Sequence, residues 1–380
     1  MNRTVRDKKV FIKPVKKIEL NESNVKLRII AVVAMIVIAA TAFGFGIHSL
    51  IKGDAGWHFI NCVMDDYNVS GDFTFVYYTE NRKVKSSVEA LYSKACVDAF
   101  SMFSSNTRSE EVNNIWTINN APNKEAEVSK TLYDALKRCV DNNALYLYLG
   151  PLYYEYEGLC LSDSDEEAKE FDPERSEAQR EYFDKIIGFV SSGKDIELRF
   201  LGDNRVMLYV SKDYASFAQN YGGIRFIDLG WMKNAFIIDY IAETMIEAGY
   251  THGSISSYDG YSRCLDDSGE EYKYALMMPT EDKLGLTAYG IYTYNGRRSH
   301  VVYRDYMLYG EDKIRYYNYE DGTVIFPYLT YPEGKMSAKY STLYCYSDSL
   351  SCADIMLKTA GSYIYGRELD NEGDIKYIIP

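Results

Sequence analysis

Histidine is scarce in this chain: four in 380 residues, at positions 48, 58, 252 and 300. None stands in an H-E-x-x-H arrangement or beside paired cysteines, which argues against a zinc enzyme. The seven cysteines (62, 96, 139, 160, 264, 345 and 352) form no C-x-x-C pair, and an odd number cannot all pair within one chain, so most read as buried thiols. There is no G-x-S-x-G elbow and no G-x-x-x-x-G-K-[ST] loop. The G-x-G at Gly44 and Gly46 lies in an apolar run where it does nothing for phosphates. No internal repeat or low-complexity tract is present. The acidic stretch 162–174 lacks the glycine that a calcium loop needs for its sharp turn, and reads as a solvated loop.

Positive charge is also missing from most of the chain, because it is concentrated at the start. Residues 1–28 hold nine Lys or Arg against three acids, whereas residues 29–380 carry 33 basic and 52 acidic residues, a net charge of −19. Such a surface repels nucleic acid, which is excluded as a partner. From Ile29 to Ile47 no charge occurs. At about 1.5 Å per residue these nineteen residues reach across a hydrocarbon core of roughly 30 Å. By the positive-inside rule the sequence predicts a cytoplasmic basic tail (1–28), a membrane span (29–47), a linker (48–57) and an extracytoplasmic domain (58–380) in the cell membrane. The rival is a cleaved signal peptide ending near Ala40-Thr41-Ala42, but the apolar run continues through Phe43, Phe45 and Ile47.

About 330 residues lie beyond the span, enough for a substantial core. Helical spacing of Val88, Leu91, Ala95, Ala99 and Met102 predicts a helix over 87–103. Others are expected over 129–140, over 234–248 with Gly249 ending it, and over 351–359. Strands fill 196–210. Asn295-Gly296, between Tyr292 and Tyr294 on one side and Val301 and Tyr303 on the other, reads as a hairpin turn. Without a regular βαβ rhythm, the class is α+β.

Three segments in order resemble the ApbE-like family, the FAD:protein FMN transferases. Residues 226–249 (FIDLGWMKNAFIIDYIAETMIEAG) are similar to the family's D-L-G-G-I-A-K-G-Y-A-V-D and the helix after it, with Asp228, Leu229, Gly230 and Asp239 matching. Upstream, Asn119, the helix from Ser129 and residues 143–152 (NALYLYLGPL) resemble the family's run ending in G-P-L, including Gly150. Downstream, Tyr331-Pro332 and Ala353-Asp354 fit the end of H-I-I-D-P-R-T-G-Y-P and the start of A-D-A-L-S-T-A. The resemblance implies mixed and antiparallel sheets with packed helices. It also implies FAD and magnesium as cofactors and an extracytoplasmic protein partner that receives FMN.

On that resemblance Asp228, Lys233, Asp239 and Lys358 occupy catalytic positions. Gly150, Gly230, Asn234, Asp259 and Gly260 fall at cofactor positions, and Asp354 at the metal. Several positions depart from the family. Where a hydroxyl one turn after the metal carboxylate is expected stands Lys358, which while protonated cannot ligate a cation. The lysine slot holds Asn234; F-D-P reads Leu145-Tyr146-Leu147, H-I-I-D-P reads Thr323-Val324-Ile325-Phe326-Pro327, and the flavin-loop G-G-D reads Tyr258-Asp259-Gly260. Charge and glycine lost together look like decay of a site. The expectation is a degenerate flavin and magnesium site with a binding or scaffold role, Lys358 pairing with Asp354 in place of the metal. The alternatives are an active transferase with an altered metal site, and an unrelated α+β adhesion or sensor module.

Overall fold

The computed structural model describes residues 55–62, 72–221, 223, 225–269, 271–281, 287–308, 310–369 and 373–380. The tail, the apolar run 29–47 and most of the linker lie outside them; among the described residues no helix is long and apolar enough to cross a membrane. In chain order the elements are β1 (Gly56–Ile60), β2 (Phe73–Thr79), α1 (Arg82–Phe103), α2 (Ile115–Asn120), β3 (Glu125–Glu127) and α3 (Lys130–Asp141). A 3₁₀ turn (Leu145–Leu149) then runs into α4 (Gly150–Cys160), followed by α5 (Asp165–Phe171) and α6 (Glu177–Ser191). Next come β4 (Ile196–Gly202), β5 (Arg205–Val210), α7 (Lys212–Asn220), and a second 3₁₀ turn (Gly230–Met232) leading into α8 (Lys233–Glu247). The remainder is β6 (Gly253–Ser257), β7 (Tyr261–Cys264), β8 (Tyr274–Glu281), β9 (Thr287–Tyr294), β10 (Arg298–Arg304), a third 3₁₀ turn (Gly310–Ile314), β11 (Tyr317–Asn318), β12 (Val324–Ile325), β13 (Thr342–Ser347), α9 (Cys352–Tyr365) and β14 (Lys376–Ile378).

An antiparallel sheet in the order β1-β2-β6-β7-β10-β13-β14 is the backbone of the fold, and α1, α8 and α9 pack together beside it. Each helix starts where its sequence allows. Asn81, Ser129 and Ser351 accept the backbone N–H of Val84, Leu132 and Asp354, satisfying donors that a helix start leaves open. The apolar stripes then decide what faces inward. Val88, Tyr92, Ala95, Ala99 and Met102 of α1, and Phe236, Ile237, Ile241 and Met245 of α8, are buried, whereas Leu91 and Ile246 are only half-buried. A second, three-stranded sheet, β3-β5-β4, turns at Asp203 and Asn204, both in the left-handed region that their short side chains tolerate. All seven cysteines carry free thiols, six of them buried.

Two local expectations are corrected by the structure, one through tertiary pairing and one through a helix cap. Strands flank Asn295-Gly296, but they do not pair with each other: β9 pairs with β8, and β10 lies between β7 and β13. Both edges of β10 are thus taken, so no ladder remains for β9. The acidic stretch 162–174 is not all loop but contains α5. Ser164 accepts from the Glu167 N–H, and Asp165, Glu166 and Glu167 in the first turn favour the positive helix end.

Candidate functional site

The three family-like segments meet in space. Asn119 clamps the backbone of Ile227, giving Nδ2–H to its carbonyl at 2.8 Å and accepting its N–H at 2.9 Å. The Asp228 N–H reaches the Leu147 carbonyl at 2.8 Å. Gly150, at the start of α4, lies so close to this strand that a Cβ there would sit 2.3 Å from the Arg225 carbonyl oxygen. Gly150 therefore faces backbone rather than the cleft, and its place in the family pattern has a packing cause. Gly230, at φ +52°, abuts the Tyr153 ring, where a Cβ would fall 2.7 Å from Cε2. Only glycine suits both the backbone angle and the approach.

Above this junction opens a cleft of about 270 Å³ lined by Tyr153, Asp228, Trp231, Lys233, Asn234 and Arg315, with Ile325, Phe326 and Pro327 on another wall. A second hollow of about 420 Å³ shares Asp72, Asn106, Lys233, Asn234 and Ile314 with it and adds Phe73, Phe100 and Phe103. Asp228 is buried. Its carboxylate accepts from the Gly230 N–H at 2.7 Å and from the Ser105 hydroxyl, with the Arg225 guanidinium 3.7 Å away. It thus both shapes the turn and faces the cleft.

Asn234 is the hub of the polar wall. Its Nδ2 donates to Asp259 Oδ2 at 2.9 Å and to Asp72 Oδ2 at 3.3 Å. With two carboxylates fixing the amide group this way round, Oδ1 points elsewhere, buried and without a partner. Arg315 closes the wall, donating to Asp72 Oδ2 at 2.6 Å and standing 3.7 Å from Asp259 Oδ2, yet its Nη1 is buried and unpartnered. Burial holds the Asp259 carboxyl above its ordinary range even with Arg315 beside it. Opposite, the Tyr153 hydroxyl faces the Trp231 indole N–H, and burial raises its pKa well above the usual value. Lys233 lies half-buried at the edge of both hollows. An aromatic wall beside the carboxylate of Asp228 and the cationic side chains of Lys233 and Arg315 suits a planar ligand with polar edges.

The other site positions lie elsewhere. Asp239 accepts the N–H groups of Cys352 and Ala353, both at 2.9 Å, with Arg263 3.3 Å away, and so ties α8 to the start of α9. Gly260 joins the backbone of β10, its carbonyl accepting the Val302 N–H at 2.8 Å. Asp354 does not pair with Lys358, which is exposed. The cation at Asp354 is Arg138, from the last turn of α3, with Nη2 2.5 Å from Oδ1. Ser351 Oγ donates to Oδ2 at 2.8 Å. In place of the expected i,i+4 pair, α3 delivers a guanidinium to the carboxylate, while Lys358 stays in solvent. Together these partners hold the Asp354 carboxyl below its ordinary range in spite of burial.

The donor set at Asp354 does not fit a divalent cation: one oxygen faces a guanidinium, the other a hydroxyl, and the residue one turn on is an ammonium pointing to solvent. Sequence reasoning missed Arg138, Arg315 and Asp72, for none stands in a motif. The only signal was the place of Arg138 on the helix already expected over 129–140.

No protein-family model matches this sequence, and no curated protein matches it. Solved structures do. Flavin Transferase ApbE from Vibrio cholerae is similar with TM-score 0.54 and 12% identity, over 81% of this chain and 86% of that one. The crystal structure of the ApbE protein from Thermotoga maritima is similar with TM-score 0.52 and 14% identity, over 80% and 87%. Over about four-fifths of its length, this chain has the fold of the ApbE flavin transferases.

Proposed function

We propose that this protein is a membrane-anchored, extracytoplasmic ApbE-fold protein that binds a flavin-type ligand and does not transfer it. The observation that carries this reading is Arg138 on Asp354. The carboxylate that the family resemblance assigns to magnesium is neutralised from within, so the charge that a metal would stabilise in a transferred phosphoryl group has no counter-ion at that place. The cleft itself keeps what binding needs, namely aromatic walls beside the polar side chains of Asp228, Lys233, Asn234 and Arg315. Residues 29–47 provide the anchor, and a neighbouring extracytoplasmic protein is the natural partner of a retained ligand-binding domain.

The test mixes the purified chain with FAD, magnesium and a threonine-bearing acceptor peptide. The expected result is flavin binding, seen as quenched flavin fluorescence and weakened by Asn234→Ala, with no FMN on the peptide. Transfer by the wild-type chain that is abolished by Asp354→Ala would overturn this reading in favour of an active enzyme. Absence of flavin binding would leave the fold without this ligand.

A further inference from the structure

A second polar cluster lies at the far end of β6 from the cleft. His252 stands just before this strand and Asp259 just beyond it, so its five residues, at about 3.3 Å each, separate the two by roughly 16 Å. Here His252, Asp266 and Asp267 each offer one ligand atom, all within 4.8 Å of one another. We propose that these three residues hold a first-row divalent cation of the manganese or zinc class, at a site independent of the flavin-type reading of the cleft.

The argument rests on Asp266. Its side chain is fully buried; Oδ1 accepts the Ser268 N–H at 2.9 Å and the Ser268 hydroxyl at 2.7 Å, while Oδ2 has no partner. A carboxylate oxygen shut away from water with neither a donor nor a cation is costly, and an ion among the three side chains removes that cost. Tyr272, Tyr274 and Cys264 lie near Asp266, yet none of them hydrogen-bonds to its Oδ2. The nearby cation, Arg297, approaches the other acid, Asp267, at 3.5 Å and through Oδ2.

The remaining ligand atoms are already held in place. Asp267 Oδ1 accepts from the Thr251 hydroxyl at 2.8 Å and lies 4.0 Å from His252 Nε2, a gap that an ion with bonds of about 2.0–2.2 Å spans. The His252 carbonyl accepts the Tyr78 N–H at 2.8 Å, and Leu265 N–H reaches the Gly253 carbonyl at 2.9 Å, so the two ligand-bearing segments are fixed to each other and to the sheet. One imidazole with two carboxylates suits manganese or zinc better than magnesium or calcium, which favour oxygen alone. His252 and Asp267 are partly open to solvent, which leaves an entry path and room for water to complete the coordination.

The full chain in detergent, stripped with a chelator, is titrated with Mn²⁺ and followed by the loss of the free-ion paramagnetic resonance signal. Manganese is the probe because it competes poorly for thiols. One equivalent should bind, and His252→Ala and Asp267→Ala should each weaken binding by at least about tenfold. These two partly exposed positions are changed first because Asp266→Asn touches the buried core. Affinity weaker than about 1 mM in the wild type overturns the proposal. So does binding that survives both substitutions, or binding lost in Asp354→Ala but kept in His252→Ala.

Discussion

Gly150 offers a sharp test of how the cleft is built. A methyl group at this position would meet the Arg225 carbonyl oxygen at 2.3 Å, the Ile227 carbonyl carbon at 2.9 Å and the Asp228 nitrogen at 3.1 Å. All three are backbone atoms, so no side chain can rotate away, and α4 must move off the strand that carries Asp228. Overpacking of this kind costs about 1–3 kcal/mol where neighbours can adjust, and Gly150→Ala should reach the upper end of that range. Gly188, inside α6, is the control: nothing lies within 4 Å of the Cβ it lacks. There the same change should stabilise by about 0.5–1 kcal/mol through helix propensity alone. Urea denaturation of the two variants should therefore move the midpoint in opposite directions. The Gly150→Ala chain should also lose ligand affinity, because Asp228 shifts with its strand. If both variants have the same stability, the close approach is not real and the packing account of Gly150 fails.

Three further outcomes follow from charge. Burial, with the Arg298 guanidinium, lowers the His300 pKa to about 3 from the ordinary 6.5, so in that interval the unfolded chain takes up a proton that the folded chain refuses. Stability should fall as pH drops below about 6.5, by up to about 5 kcal/mol once the pH is below about 3, and His300→Gln should flatten the fall in pH-dependent chemical denaturation. Arg138→Ala should cost about 1 kcal/mol at neutral pH, since both partners are roughly one-third exposed. Because the folded Asp354 pKa is depressed, this loss should fade as acid protonates the carboxylate, while Lys358→Ala stays within about 0.5 kcal/mol throughout. Asp239→Ala should cost about 3 kcal/mol in thermal unfolding, because it leaves two buried helix-start N–H groups without their acceptor and removes one of the two carboxylates that Arg263 pairs with, Glu243 being the other.

Much of this fold could be read from local pattern. Helical spacing located α1, α3 and α8 because the residues that repeat are the ones that bury, and Ser129 announced the start of α3 through its own side chain. The last helix was placed but cut short: Gly361 is the kind of residue that ends a helix, yet the helix runs through it to Tyr365 and ends at Gly366. What stayed illegible was pairing between distant segments. Nothing in the sequence around Tyr294 says that β10 will be claimed by β7 and β13. The site divides in the same way. Asp228, Lys233, Asn234 and Asp259 could be singled out because they sit in or near a recognisable stretch, and the structure brings them to one cleft. Arg315, Asp72 and Arg138 act from outside any motif, separated by 243 residues in the Arg315–Asp72 bond and 216 in the Arg138–Asp354 pair. A side chain that finds its partner only through the completed sheet leaves no trace in spacing.

The bond between Asp239 and the start of α9 joins residues 113 positions apart. During synthesis, then, α8 leaves the ribosome long before the N–H groups that its buried carboxylate will accept. Until the last forty or so residues emerge, one edge of β10 stays open, for β13 arrives together with α9. Contacts of such separation form late, and an open strand edge is a site for the wrong partner. A chain stopped just short of β13 should therefore collect in aggregates, although every residue lining its cleft has already been made.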